Sequence, residues 1–514
     1  MTELVQKSPV AKICDLDDLA SVLTRLRSEH KRIVHCHGVF DLLHVGHIRH
    51  LDRAKQLGDV LVVTLTPDRY VNKGPHRPVF NEGLRAEALA ALSTVDYVAI
   101  NKWPTAVETI NLLRPRYYVK GSDYRDASAD RTGGIALEEA EVRSVGGELV
   151  CTDELQFSSS NLINRHLSPF APNVASYLAD VRSRYCAGDI VGYLEQARAL
   201  NVLVVGEAII DDYHYCEAIG KSSKEPMLAV KRLSSETFAG GILAVANHVA
   251  GFCDRVTVLT VLGNENSHEE FIRRHLRPNV EPIFLKRENA PTIVKRRFVE
   301  QYFFTKLLEV YEMNDESFAE EDNRRFCEQL DAHVAAFDLV VVVDFGHGML
   351  SDEAVDRLCR QAKFLAVNAQ SNAGNLGYHT ISRYPRADYV GMAENEIRLE
   401  ARDRRGDLRR MVLDVAQRLQ RGRVMVTRGK YGSLGYRDGE GFVEAPALAG
   451  QVIDRMGAGD ASLSVTALCA VQGAPMQVVS FIGNAVGAQA VATVGHRTSV
   501  DRLSLSRHIE SLLK

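Results

Sequence analysis

Two histidines in the first part of the chain stand on either side of a glycine, where a helical pattern begins. His44 and His47 bracket Gly46, and apolar residues then recur with helical spacing from Ile48. A helix N-terminus presents unpaired N–H groups and the positive end of a dipole, which favour phosphate. Gly46 lets a polyanion approach the backbone closely. The spacing predicts two imidazoles that donate to phosphate groups; an accidental pair of surface or core histidines is the alternative.

A second motif of this kind lies near the C-terminal end of the chain. Gly457, Ala458 and Gly459 are followed directly by Asp460 and then by another helical pattern. Backbone N–H groups at such a turn form an anion hole that suits a phosphoryl group in transfer. A carboxylate beside the hole is placed to accept the proton of an attacking hydroxyl group. Asp460 is therefore the predicted catalytic base, and a tight turn with an aspartate cap is the alternative.

The elements that must position these motifs are strands that alternate with helices. In the first part they are predicted, in chain order, as strand 32–36, a helix from near Ile48, strand 60–65, helix 82–92, strand 97–100, helix 105–113 and strand 117–119. A second series begins with strand 202–205 and continues to the C-terminus. This alternation predicts parallel sheets with helices on both faces. Such sheets bind ligands at the carboxyl ends of their strands, where the paired-histidine loop lies.

The length of 514 residues and the two series predict an α/β protein of two domains. The N-terminal domain is predicted at 28–168 and the C-terminal domain at 199–514. Between them, 169–198 is predicted to be a helical connector, because it has too many apolar residues for a disordered linker.

The composition favours a globular enzyme over a nucleic-acid or membrane protein. Hydrophobic residues make up 46% and charged residues 25% of the chain, and the net charge of -4 comes with scattered basic residues. The nine cysteines form no CxxC pair, which predicts reduced thiols. The chain shows no signal-peptide core and no apolar run of the roughly 20 residues that a membrane helix needs. A cytoplasmic location is expected, without nucleic-acid or membrane partners.

The stretch GVFDLLHVGHIRHLDRAKQLGD resembles the opening of the cytidylyltransferase-like nucleotidyltransferases. Further pieces resemble that family in the same order: Asp68, Lys73, Arg77-Pro78, Arg85, the run VKGSDY and the run SSSNLI. The resemblance implies a Rossmann-like domain in which a phosphate oxygen attacks the α-phosphorus of a nucleoside triphosphate and pyrophosphate leaves. Catalytic roles are implied for His44, His47 and Lys73.

Nucleotide binding in this domain is implied for Phe40, Asp41, His44, Gly46, His47, Asp68, Arg85, Lys120, Gly121, Asp123, Ser159 and Ser160. Two of these residues have plain structural alternatives. Asp41 is equally an acid that orients the loop, and Arg85 is otherwise an exposed arginine on a helix.

The segment around Asp460 resembles the signature of ribokinase-like, PfkB-type sugar kinases. The runs GEAIID, GG, TIVK, DFGHG, NE and TRGKYG are further pieces of that resemblance. It implies a ribokinase-like α/β domain in which Asp460 is the base and the sugar is bound by Asp211, Gly240, Gly241, Lys295 and Asp460. ATP binding is implied for Asn395, Glu396, Thr427, Gly429, Gly432, Gly457, Ala458, Gly459 and Asn484.

Three positions depart from the kinase pattern. Ala244 stands where the family usually has an asparagine after the paired glycines, and His347 replaces a usual lysine. Asn368-Ala369-Gln370 stands where related kinases carry Asp-Pro-Lys. These changes leave the phosphoryl-transfer residues intact and leave the identity of the sugar open.

Together, the two halves resemble the bifunctional enzymes that phosphorylate heptose 7-phosphate and adenylylate heptose 1-phosphate, with the order of the two domains reversed. The resemblance implies sugar phosphates and nucleoside triphosphates as small-molecule partners, Mg²⁺ with unassigned ligands, and a homo-oligomer, which is a dimer in the family. ATP is the implied phosphoryl donor, and ATP or CTP the nucleotidyl donor. Three alternatives remain: another sugar or polyol phosphate as substrate, a kinase-like domain that only senses a sugar or nucleotide, and a scaffold role through oligomerisation.

Overall fold

A computed structural model describes residues 9–71, 78–121, 134–152, 170–420 and 422–513. These residues fall into two compact units, one up to Ala171 and one from Pro172 to Ile509. Within the described ranges, no helix is both long and apolar enough to span a bilayer.

The described part of the first unit contains a parallel sheet of five strands. Its elements are α1 (Leu16–Ser28), β1 (Ile33–Gly38), α2 (Val45–Gln56), β2 (Val60–Leu65), α3 (Glu82–Ala90), β3 (Tyr97–Ile100), α4 (Val107–Leu113), β4 (Tyr117–Lys120), α5 (Gly134–Ser144) and β5 (Glu148–Cys151). The strand order is β3-β2-β1-β4-β5, and every neighbouring pair is parallel. The order reverses between β1 and β4, and open α/β sheets bind ligands at such a switch point.

Helices cover both faces of this sheet, as its strand sequences predict. Successive side chains of a strand point to opposite faces. Val34 of β1 accordingly packs in a cluster with Leu51 of α2, and its neighbour Ile33 packs in another cluster with Leu19 of α1. The six residues of β2 are all buried, as expected for a strand covered on both sides. The predicted parallel sheet is thus confirmed, and α1, which precedes the predicted domain start, belongs to its cover.

The second unit is larger. Its elements are α6 (Pro172–Arg184), α7 (Ala187–Gln196), β6 (Asn201–Gly206), β7 (Ala208–Lys221), β8 (Leu228–Gly241), α8 (Ile242–Ala250), β9 (Arg255–Glu265), α9 (Glu269–His275), β10 (Val280–Pro291), β11 (Ile293–Glu300), β12 (Thr305–Glu312), α10 (Glu320–His333), β13 (Leu339–Asp344), α11 (Asp352–Gln361), β14 (Leu365–Ala369), β15 (Tyr389–Ala393), α12 (Glu394–Glu400), α13 (Leu408–Arg418), β16 (Arg423–Thr427), β17 (Ser433–Arg437), β18 (Gly441–Ala445), α14 (Ala458–Val471), α15 (Met476–Ala490) and α16 (Arg502–Leu512). The helices of the predicted connector, α6 and α7, fall within this unit.

Two sheets organise the described residues of the second unit. The larger has the order β10-β9-β6-β13-β14-β15-β16-β17-β18, parallel as far as β16 and antiparallel beyond it. The smaller has the order β12-β11-β7-β8, in which β11 runs parallel to β7. That pairing sets Lys295 opposite Asp211.

Helix α14 lies inside the second unit and carries Asp460 in its first turn. The residues from Asp460 to Ala470 are all buried, and α14 packs against α8, α15, β13 and β15. A helix covered all round is a fixed part of the core. The predicted base therefore stands on a rigid element.

Candidate active sites

The paired-histidine loop joins β1 to α2 at the switch point of the first sheet. The helix was predicted to begin near Ile48, but it begins at Val45, with His44 as its cap. The Nδ1 atom of His44 accepts a hydrogen bond from the Gly46 backbone N–H at 3.1 Å. A neutral imidazole that accepts at Nδ1 carries its proton on Nε2.

His44 is therefore placed to donate from Nε2, which is buried and has no hydrogen-bond partner among the described residues. Burial lowers the pKa of His44, which keeps the ring neutral near pH 7. The His47 ring stacks on it with centroids 4.0 Å apart, and Phe40 lies edge-on to His47 at 5.4 Å. The two predicted imidazoles thus form one unit at the start of α2.

The loop before the histidines is held in an unusual backbone conformation. Phe40 and Leu42 have φ angles of 49° and 45°, which lie in the left-handed region. The buried Asp41 carboxylate accepts the backbone N–H of Val79 at 2.9 Å and that of Phe80 at 3.2 Å. Asp41 therefore orients the loop, and these contacts stabilise a conformation that costs energy.

Arg85 is buried, with 1% of its surface exposed, which excludes the alternative of an exposed helix arginine. Its Nε atom donates to the Phe80 carbonyl at 3.0 Å, and its Nη1 atom donates to the Val39 carbonyl. Its Nη2 atom donates to the Thr66 carbonyl at 2.9 Å and to Asp68 Oδ1 at 2.6 Å. Arg85 and Asp68 therefore brace the loops that follow β1 and β2.

Lys120 ends β4, which lies beside β1 at the switch point. It is buried, and its Nζ atom lies 2.9 Å from Glu138 Oε2 and 5.1 Å from the centroid of the Tyr118 ring. Gly121 follows it directly. The other predicted residues of this site, Lys73, Asp123, Ser159 and Ser160, lie outside the described residues.

The second unit encloses a cavity of about 310 Å³ between the smaller sheet and the N-terminus of α14. The predicted sugar and ATP residues that share its wall are Asp211, Gly241, Lys295, Glu396, Thr427, Gly457, Gly459 and Asp460. Gly240 lies behind the wall, where a Cβ atom would collide with the Asp211 carboxylate. The structure does not bring Asn395, Gly429, Gly432, Ala458 or Asn484 to this wall.

The turn before α14 leaves an opening beside Asp460. Gly457 has a φ angle of 75°, and a Cβ atom there would collide with the His496 ring. Gly459 faces open space, with no atom within 4 Å of a hypothetical Cβ. Glycine is therefore required at Gly457 for conformation and at Gly459 leaves room for an anion at the helix N-terminus.

The Asp460 carboxyl is the most perturbed group of this turn. Burial, with added repulsion from Asp211 and Glu396, raises its pKa to about 7. Gln370 Nε2 donates to its Oδ1 atom at 2.6 Å. Gln370 was noted only as a departure from the kinase pattern, and its contact with the predicted base was missed. An acid with a pKa near 7 is suited to exchange a proton at neutral pH.

Two neighbours of Asp211, an arginine and a histidine, hold its carboxylate in place, and sequence reasoning missed both. Arg297 forms an ion pair with Asp211, and its Nη2 atom lies 2.7 Å from Glu309. Burial lowers the pKa of Arg297, but the neighbouring Asp211 carboxylate outweighs that effect and holds this pKa above its usual value. His496 Nε2 lies 3.4 Å from Asp211 Oδ2. Arg297 stands two positions after Lys295 on β11, so strand periodicity offered a signal for it; none existed for His496.

Lys295 lies between two aromatic rings in the same wall. Its Nζ atom is 4.8 Å from the centroid of Tyr311 and 5.5 Å from that of Phe345. Burial lowers the pKa of Lys295. A cation over ring faces is stabilised without a counter-ion at contact distance, so its charge is available to a phosphate.

Glu396, a predicted ATP-binding residue, is a partly buried carboxylate in the cavity wall. It accepts the backbone N–H groups of Ala393 at 2.7 Å and Ser371 at 3.2 Å, and the amide of Asn368 at 3.4 Å. Burial raises its pKa. The neighbouring Asn395 is exposed.

Asn484, predicted beside the adenine, makes two hydrogen bonds within the second unit. Its Nδ2 atom donates to Ser433 Oγ at 2.6 Å and to the Ser480 carbonyl at 2.8 Å. It thereby ties α15 to β17.

The first unit is similar in sequence to curated bifunctional proteins, which match the N-terminal part of the chain. The bifunctional protein HldE of Methylobacillus flagellatus is 42% identical over 159 residues, which cover 30% of this chain and 31% of that protein. HldE of Geobacter metallireducens is 47% identical over 164 residues, or 31% of this chain and 32% of that protein. The match thus spans about a third of the length of these relatives. Residues 35–165 also match the cytidylyltransferase-like family.

The second unit has a ribokinase-like fold. Phosphofructokinase-2 from Escherichia coli, in complex with potassium, superposes with a TM-score of 0.50 at 16% identity, covering 61% of this chain and 100% of that one. This likeness shows the fold alone. Residues 199–503, more than half of the chain, match the pfkB family of carbohydrate kinases, and the chain belongs to that family.

Proposed function

We propose that this chain makes a nucleotide-activated sugar in two reactions. The second unit transfers the γ-phosphoryl group of ATP to a hydroxyl group of a sugar phosphate. The first unit transfers a nucleotidyl group from a nucleoside triphosphate to a sugar 1-phosphate and releases pyrophosphate. The observation that carries the proposal is the Asp460 carboxyl, which lies at the glycine turn of α14 and shares one cavity with Asp211.

In the kinase reaction, Asp460 accepts the proton of the sugar hydroxyl as its oxygen attacks the γ-phosphorus and ADP leaves. Gln370 holds Oδ1 of Asp460, which orients the carboxylate toward the hydroxyl. The backbone at Gly459 faces the developing charge on the phosphoryl group. Asp211, fixed by Arg297, accepts hydrogen bonds from other sugar hydroxyls. Positioning and electrostatic stabilisation supply most of the catalysis in reactions of this class.

The residues present fit a magnesium ion held largely by phosphates and water. Among the described residues, no group of three or more His, Cys, Asp and Glu side chains forms a metal cluster. Mg²⁺ in kinases typically uses only one or two carboxylates and keeps several waters. Glu396 lies in the wall, and no cationic side chain pairs with it in the described ranges. Glu396 would hold Mg²⁺, which neutralises charge on the phosphates.

In the first unit, the histidine pair needs no covalent intermediate. A sugar 1-phosphate oxygen attacks the α-phosphorus of the triphosphate, and the bond to the pyrophosphate oxygen breaks. His44 donates from Nε2 to a phosphate oxygen, with His47 stacked against it. Lys73 would supply a cation. These contacts align the phosphates without reading the base, so ATP and CTP are both proposed donors.

Heptose 7-phosphate is the proposed substrate of the kinase reaction. Heptose 1-phosphate is the proposed acceptor of the nucleotidyl group in the first unit. Support comes from the resemblance of both halves to the bifunctional heptose enzymes and from the HldE relatives of the first unit. The reversed order of the two units leaves each site complete within its own predicted domain.

The test is a pair of assays on the full chain. ADP formation is measured with ATP and a panel of sugars and sugar phosphates that includes heptose 7-phosphate. Pyrophosphate release is measured with each nucleoside triphosphate and several sugar 1-phosphates. We expect ADP formation with heptose 7-phosphate and pyrophosphate release with heptose 1-phosphate. Protein that binds sugar and ATP but forms no ADP with any member of the panel would instead be a transferase with a sensor domain.

A further inference from the structure

A second cavity, of about 290 Å³, adjoins the sugar end of the kinase site. His496 lies in the walls of both cavities, and its Nε2 atom is 3.4 Å from Asp211 Oδ2. None of the described residues in the wall of the second cavity is an aspartate or glutamate. Arg277, Arg497 and His248 contribute cationic or N–H donor groups to it. The cavity thus begins where the sugar would be held and has the composition of an anion site.

His248 supplies a donor of fixed orientation. It is 4% exposed, and its Nδ1 atom accepts the Val500 backbone N–H at 3.1 Å. Burial lowers its pKa to about 3, so the ring is neutral and carries its proton on Nε2. No acceptor among the described residues lies within hydrogen-bonding distance of that N–H. Because His248 lines the cavity, this donor is available to an acceptor group of a ligand there.

Arg277 supplies a positive charge to the wall of this cavity. The described residues place no carboxylate within 4 Å of its guanidinium, whereas Arg497 is paired with Glu236 through Nε at 3.0 Å. Asn247 fixes the segment that carries Arg277, since its Oδ1 atom accepts the Arg277 backbone N–H at 2.9 Å and its Nδ2 atom donates to the His275 carbonyl at 2.9 Å. The backbone at Arg277 is therefore fixed, and its charge is near enough to help lower the pKa of His248.

Ala244 leaves the space that this cavity occupies on the α8 side. It presents only a methyl group in the cavity wall, one turn before His248 on the same helix. An asparagine at this position would extend a polar side chain into the cavity. The small side chain at Ala244 thus leaves room for a ligand, and the charge at Arg277 favours an anionic one.

We propose that this cavity binds a phosphate monoester group that the sugar substrate carries, away from the hydroxyl that faces Asp460. The inference rests on the proposed kinase function and locates the residues that would select a phosphorylated over a free sugar. A phosphate dianion accepts several charge-assisted hydrogen bonds at once, which matches an arginine, an N–H donor and the Ser499 hydroxyl in one wall. Inorganic phosphate offers the same chemistry, so the experiment separates the two sources.

The test compares heptose 7-phosphate with unphosphorylated heptose, and mannose 6-phosphate with mannose, on the full chain. Dissociation constants are measured by calorimetry for wild type, Arg277→Ala, Arg277→Lys, Ala244→Asn and the control Arg274→Ala. Arg274 is an exposed arginine three positions away that pairs with Glu270. Inorganic phosphate serves as a competitor, and KM and kcat for ADP formation are measured in parallel.

We expect at least one phosphorylated sugar to bind wild type more tightly than its unphosphorylated partner. Arg277→Ala should weaken that binding about 10- to 100-fold, the range for a hydrogen bond to a charged group. It should leave the dissociation constant of the free sugar and the KM for ATP unchanged. Arg277→Lys should restore part of the loss, Ala244→Asn should remove the preference for the phosphorylated sugar, and Arg274→Ala should match wild type.

Equal affinity of wild type for both members of each pair, or an equal loss for both in Arg277→Ala, overturns the subsite. Displacement by inorganic phosphate at concentrations below those of the phosphorylated sugar would assign the cavity to free phosphate and also overturn it. A preference for the phosphorylated sugar without any ADP formation would leave the subsite standing and refute the kinase function. Any sugar phosphate that binds to the first unit does so equally in wild type and in Arg277→Ala. The difference between their dissociation constants therefore reports binding to the second unit alone.

Discussion

In the proposed kinase reaction, Asp460 must lose its proton before it can accept one from the sugar, and burial raises the pKa of this carboxyl group to about 7. Kinase turnover should therefore rise with pH through about 7. One pH unit below the pKa, about a tenth of the carboxyl groups are ionised, so kcat at pH 6 should be about a tenth of its plateau value.

Gln370→Ala should move this pH profile upward. The amide of Gln370 donates to Asp460 Oδ1 at 2.6 Å and stabilises the ionised form, which lowers its pKa. A hydrogen bond to a charged group contributes about 1.5–3 kcal/mol. Since one pKa unit corresponds to about 1.4 kcal/mol, its loss should raise the midpoint of the kcat profile by about 1–2 pH units.

The assay is kcat for ADP formation between pH 5.5 and 9, at saturating ATP and sugar phosphate. Gln361→Ala is the matched control, because Gln361 makes the same kind of bond to the exposed carboxylate of Asp331. Its profile should coincide with that of wild type. A wild-type profile that is flat from pH 6 to 8, or a Gln370→Ala midpoint at or below the wild-type one, would refute the role of Asp460 as a base tuned by its surroundings.

Two further changes test the first unit. His44→Ala or His47→Ala should lower kcat for pyrophosphate release about 10²–10³-fold, the usual cost of removing one preorganised donor, and leave ADP formation unchanged; near-normal pyrophosphate release by the double variant would contradict the site. Arg85→Ala should destabilise the first unit by about 2–4 kcal/mol in a urea titration, because it removes the hydrogen bonds of three backbone carbonyl groups and the ion pair of the buried guanidinium with the partly exposed Asp68. Arg69→Ala, at an exposed arginine in the same region, should cost far less. An equal cost for the two variants would argue against the bracing role of Arg85.

The local pattern of residues predicts the elements and motifs of this chain well. Wholly apolar runs such as that of β2 identify strands buried on both faces, and the glycines of the α14 turn mark the position of the proposed base. The start of α2 was misplaced by three residues. Its cap is His44, an imidazole rather than one of the usual Ser, Thr, Asp or Asn caps. Counting from the first periodic apolar residue therefore missed the first turn.

The site residues and their partners lie far apart in the chain. Gln370 lies 90 positions from Asp460, and Arg297 lies 86 positions from Asp211. These pairs meet only after the sheets assemble. The burial of Arg85 could not be predicted for the same reason. Its residue type and its place on a helix are also typical of an exposed arginine, and only the folded structure shows that the side chain is covered.

Asp460→Asn in the full chain tests the central claim most directly. Asparagine keeps the shape of the side chain and an acceptor for Gln370, but it cannot take the proton of the sugar hydroxyl. General-base contributions are typically about 10²–10⁴-fold, so kcat for ADP formation should fall by at least about 100-fold. Binding of ATP and pyrophosphate release by the first unit should stay at wild-type values, and the affinity for the sugar phosphate should change far less than kcat. A variant that forms ADP as fast as wild type would contradict the account and place the base elsewhere.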